Sequence, residues 1–77
     1  MLKFGAVIRE FRKAAGLSQD ELADRMGQSK SYVYKLEHDV RAPSPAMIVR
    51  LGRALDIPPG AILDRAAESY PNDDSFS

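Results

Sequence analysis

Lys30, Ser31, Tyr34, Lys35 and His38 bring two ammonium groups, a hydroxyl, a phenol and an imidazole into one short stretch. On a helix turning about 100° per residue these five side chains fall within an arc of about 140°. Val33, Leu36 and Tyr32 lie on the opposite side. Groups of this kind donate to phosphate oxygens or to base edges, and no carboxylate interrupts them along the helix. Taken alone, such a face would describe the solvated side of any amphipathic helix, so its meaning rests on the elements around it.

Other chemistries lack their residues. The chain has no Cys and a single His, which leaves no thiolate nucleophile, disulfide or zinc-finger ligand set. A Gly-rich phosphate loop, an H-E-x-x-H run and a G-x-S-x-G run are all missing. Asp20, Glu21 and Asp24 sit near a helix start, where capping and the helix dipole account for acidic residues without catalysis. The reading is of a chain that is not an enzyme and that needs neither metal nor cofactor.

The displayed face requires a scaffold, and helices are what the apolar spacing predicts. Phe4, Ile8, Phe11 and Ala15 recur every three or four residues, giving a first helix that Gly16 ends. Ser18 with Glu21 forms a capping box that opens a second helix carrying Leu22, Ala23 and Met26, with Gly27 as its stop. Ser29 caps a third helix from Lys30 to about His38, with Val33 and Leu36 as its buried pair. Ser44 and Pro45 open a fourth, lined by Ile48, Leu51, Ala54 and Leu55. Gly52 inside it costs helix stability, for which close approach of another backbone is one reason. After Ile57-Pro58-Pro59 a fifth helix runs to about Ala67. No strand alternation and no repeat is found, so the class is all-α.

Seventy-seven residues support one domain, placed at 1–68, with 69–77 (Ser-Tyr-Pro-Asn-Asp-Asp-Ser-Phe-Ser) too polar to offset ordering entropy and read as a disordered tail. Eleven basic and eleven acidic residues cancel overall. Their positions do not: residues 1–53 carry ten basic and six acidic groups, residues 54–77 one basic and five acidic. That division is expected of a cationic working end and an acidic C-terminal segment. No apolar run reaches the roughly 20 residues of a membrane span, and no secretory signal is evident, so a cytoplasmic location is expected.

Gly16-Leu17-Ser18-Gln19-Asp20-Glu21-Leu22-Ala23-Asp24-Arg25-Met26-Gly27, followed by Ser29-Lys30-Ser31-Tyr32-Val33-Tyr34-Lys35-Leu36-Glu37, resembles the lambda-repressor-like (Cro/repressor-type, XRE) helix-turn-helix family. The likeness extends from about Phe4 to Leu63. It implies a compact five-helix DNA-binding domain whose second and third helices form the DNA-reading unit. Lys30, Ser31, Tyr34 and Lys35 would read bases in the major groove, and Gln19, at a helix N-terminus, would touch the DNA backbone. Ser29, Tyr32, His38 and Arg41 join the backbone contacts. Arg12 and Glu37 match positions that in some relatives form a buried ion pair joining the first and third helices. The family's usual Asn-Gly after that Glu is here His38-Asp39-Val40, which is expected to reshape the turn. Ile62, Leu63 and Ala66 either finish the core or make a two-fold contact, and a homodimer on a pseudo-palindromic duplex is the expectation.

The function so implied is a sequence-specific transcriptional regulator, a small dimeric repressor or autoregulator. The alternative is an antitoxin-like module whose main partner is another protein, bound through the acidic C-terminal segment; zero net charge favours it, because dedicated DNA binders are commonly more basic.

Overall fold

The computed structural model describes residues 3–68, which form five helices and no strand: α1 Gly5–Ala14, α2 Gln19–Met26, α3 Lys30–Glu37, α4 Pro45–Leu55 and α5 Pro59–Glu68. The tail expected at 69–77 lies outside the described residues.

Each start is built as its residues dictate. Ser18 Oγ accepts the Glu21 N–H at 3.0 Å while Glu21 Oε1 accepts the Ser18 N–H at 2.9 Å, two otherwise unpaired donors closed reciprocally. Ser29 and Ser44 accept from Tyr32 and Met47 in the same way, at 3.1 and 3.2 Å. Gly16 and Gly27 end α1 and α2 in the left-handed conformation, at φ 73° and 68°.

Ile8, Leu22, Val33, Leu36, Leu51 and Ile62 are fully buried, one or two from every helix, so a single core ties all five together. Burial of such side chains stabilises by about 1.5–3 kcal/mol each relative to exposure. Gly52 does permit close approach: a Cβ there would stand 2.9 Å from the Ile57 carbonyl oxygen and 3.1 Å from the Pro59 nitrogen. The α4–α5 corner folds back across that bare backbone.

In α1 Val7 and Ile8 are buried, and Phe4 and Phe11, on the same side of the helix, pack half-buried against the core, while Ala15 is exposed. Gly5 lies against the end of α3, where a Cβ would meet the Glu37 carbonyl oxygen at 2.4 Å. Two reciprocal bonds then join α2 to α4, with Arg25 Nη1 donating to the Ala54 carbonyl at 3.2 Å and Arg50 Nη1 to that of Met26 at 3.4 Å. On the other side, Arg65 of α5 pairs with Glu10 of α1.

Candidate nucleic-acid interface

The α2–α3 unit follows from its caps. Past Gly27, the Gln28 N–H donates to the Ala23 carbonyl at 2.9 Å, a tight closure that turns the chain straight into the Ser29 cap of α3. Val33 and Leu36 then enter the core. Lys30, Ser31, Tyr34, Lys35 and His38 are all left exposed, with Tyr34 at 50%. Among the described residues, Val40, Val49 and Leu63 are the other large apolar side chains left exposed.

Behind this face lies a polar network. Arg12 Nε donates to Glu37 Oε2 at 2.6 Å and Arg12 Nη2 to Glu37 Oε1 at 3.0 Å, with the two side chains only 11% and 2% exposed. Arg12 Nη1 donates to the Leu17 carbonyl at 2.8 Å, and Gln19 Nε2 to Glu37 Oε1 at 3.2 Å. The fork geometry suits a carboxylate, and the hydrogen bonds it donates to Glu37 hold the Arg12 guanidinium above its ordinary pKa. One carboxylate therefore joins α1, the start of α2 and the end of α3.

The remaining residues expected at the interface take distinct settings. Gln19 is half-buried, its amide engaged with Glu37. Ser29 is exposed, and its hydroxyl oxygen caps α3 while the hydroxyl hydrogen stays available to an acceptor. Tyr32 is half-buried, and the Arg41 guanidinium lies 5.4 Å from its ring centroid. The rings of His38 and Tyr34 stand 4.0 Å apart, tilted by 30°. Ile62 and Ala66 are fully buried within the chain and so finish its own core, the first of the two alternatives read for them; Leu63 is 42% exposed.

The α3 face itself carries no carboxylate, but Asp20 of α2 stands beside it, with Asp20 Oδ2 3.8 Å from Lys30 Nζ. A helical wheel of α3 alone has no means of showing a neighbour from another helix. In the turn after α3, Asp39 adopts φ 57°, and its Oδ1 accepts the Gly5 N–H at 3.0 Å. That bond to the start of α1 offsets the strain of a left-handed non-glycine residue. The tolerance of aspartate for this conformation was the available signal in the sequence; its partner, 34 residues away, was not.

Among the described residues no helix is long and apolar enough to cross a membrane.

A helix-turn-helix family model matches residues 8–62, most of the described chain. The restriction-modification controller protein C.AhdI from Aeromonas hydrophila is 44% identical, with TM-score 0.75 over 79% of this chain and 92% of that one. The clp gene regulator ClgR from C. glutamicum is 28% identical, with TM-score 0.85 over 92% of both chains. SinR, a transcriptional regulator of Bacillus subtilis, is 32% identical over 84% of this chain. A structure of SinR in complex with DNA superposes with TM-score 0.73, at 32% identity over 79% of this chain and 98% of that one. The chain spans 60% of the length of SinR and 51% of that of a Mycobacterium tuberculosis regulator it also matches. With five helices in this order and its residues 8–62 matched, the chain belongs to the helix-turn-helix family, in its lambda-repressor-like (Cro/repressor-type, XRE) branch.

Proposed function

We propose that this protein is a sequence-specific, double-stranded-DNA-binding transcriptional regulator that works as a small dimeric repressor or autoregulator in the cytoplasm, by occupying DNA rather than by catalysis. The observation that carries the reading is the exposed face of α3, held outward by Val33 and Leu36 in the core and by Glu37 in the Arg12 network. The DNA complex of the similar SinR supports it.

In this reading α3 lies in the major groove. Lys30 and Lys35 donate to guanine O6 and N7, Ser31 accepts several bases, and Tyr34 contacts a thymine methyl or a phosphate. Gln19, Ser29, Tyr32 and Arg41 serve the sugar-phosphate backbone and set register rather than sequence. Lys30 leaves Asp20 at little cost, since an exposed pair of this kind is worth at most about 1 kcal/mol. Leu63 is the exposed apolar residue of α5 available to a two-fold contact, which would present two α3 helices to half-sites roughly 34 Å apart.

Selection of binding sites from random duplexes followed by a salt titration tests the reading. A preferred pseudo-palindrome whose affinity falls steeply with salt supports it. A chain that shows no duplex preference at low salt but forms a tight complex with another protein would overturn it in favour of the interaction module.

A further inference from the structure

We propose that His38 is a positioning residue for base recognition, bracing the Tyr34 ring in its reading pose, rather than a contact to the DNA backbone. This rests on the DNA-binding reading above.

Tyr34 projects into solvent, with half its surface exposed. An unsupported tyrosine would have to lose rotamer freedom on binding, which weakens affinity and blurs discrimination. The ring that supports it is the one four residues along: His38 lies 4.0 Å away, centroid to centroid, tilted by 30°, a direct ring-on-ring contact closer than the roughly 4.5–7 Å usual for aromatic pairs.

A brace works only if it is itself held, and the backbone around His38 is pinned on both sides. The His38 N–H donates to the Tyr34 carbonyl at 3.0 Å. Asp39, next along, is tied to the start of α1 by the bond from the Gly5 N–H. The Val40 and Arg41 N–H groups both donate to the Lys35 carbonyl, at 2.9 and 3.3 Å. Arg41, the other donor of this turn, lies over Tyr32, so the imidazole faces Tyr34 while the guanidinium serves the neighbouring ring. The end of α3 is thus a locked corner carrying a flat ring against the exposed aromatic side chain of that helix.

The experiment compares His38→Ala, His38→Phe and His38→Gln. Binding is measured to the duplex selected by the unmodified chain and to versions substituted at the base pair whose readout Tyr34→Ala changes. The ring pair in free protein is followed by nuclear Overhauser contacts and ring-current shifts of Tyr34. A brace requires that His38→Phe keep the discrimination ratio and the shifts. His38→Ala and His38→Gln should lose both, with the ratio falling roughly 3- to 10-fold, as a ring pair of this kind is worth. Gln retains a donor for phosphate but no ring. If His38→Gln keeps the ratio and His38→Phe loses it, or if all three behave alike, the brace is wrong while the DNA-binding reading stands. If the unmodified chain prefers no duplex, both fall.

Discussion

Replacing Arg12 by Met tests the buried network most directly, because it removes the charge while retaining much of the side chain's length. The substitution takes two charge-assisted hydrogen bonds from Glu37, at 2.6 and 3.0 Å, and one from the Leu17 carbonyl, at 2.8 Å. It leaves a carboxylate only 2% exposed with the Gln19 amide as its remaining donor among the described residues. Breaking one side of such a pair costs about 3–5 kcal/mol, since the surviving charge is desolvated without compensation. A domain of this size has a total stability of roughly 4–12 kcal/mol. Each kcal/mol lowers the melting temperature by about 4–8 °C, so a fall of at least about 12 °C is expected in thermal unfolding followed by circular dichroism. Adding Glu37→Leu to the Met variant should recover much of the loss, because the desolvated charge goes with it. Were Arg12→Met to melt within a few degrees of the unmodified protein, or the double variant to be no more stable than the single, the network would not carry the load assigned to it.

Other consequences follow from the geometry. Lys30→Ala and Tyr34→Ala should alter which duplex is selected while leaving the melting curve almost unchanged, whereas Arg41→Ala should weaken all duplexes alike and reduce the salt slope by about 1; selection and titration of the three variants check this. Gly52→Ala should destabilise by about 1–3 kcal/mol in urea unfolding, because the added methyl meets backbone atoms of the α4–α5 corner at 2.9 and 3.1 Å. The Ser18 N–H holds the Glu21 carboxyl below its ordinary value of 4.5. A lowered folded-state pKa adds stability that is present above that value and disappears as the pH falls through the folded pKa. Glu21→Gln should therefore flatten the acid limb of the stability–pH curve below about pH 4.5 without changing its slope near neutrality.

The reading that depends on nearest neighbours was already legible along the chain. Ser18, Ser29 and Ser44 cap helices because a hydroxyl reaches an N–H three residues on, and Gly16 and Gly27 end them because no Cβ opposes a left-handed turn. Val33 and Leu36 buried, with Lys30, Ser31, Tyr34, Lys35 and His38 outward, follows from helical period alone. The family pattern added the Arg12–Glu37 pair, which no spacing rule supplies across 25 residues.

Contacts between segments distant in sequence were decided only on folding. How deeply each residue of the α1 stripe is buried depends on the helices packed against it: Val7 and Ile8 are sealed, whereas Phe4 and Phe11 pack half-buried at the edge of the core. Asp39 in its left-handed turn is tied to the first amide of α1, and Asp20 reaches Lys30 because α2 and α3 cross beside one another. Ile62 and Leu63 are adjacent and equally apolar, yet one is sealed and the other exposed according to how α5 lies on the bundle. Periodicity and capping act over one turn of helix and are written in the order of residues; burial and through-space charge are set by the packing of whole helices, which no single segment encodes.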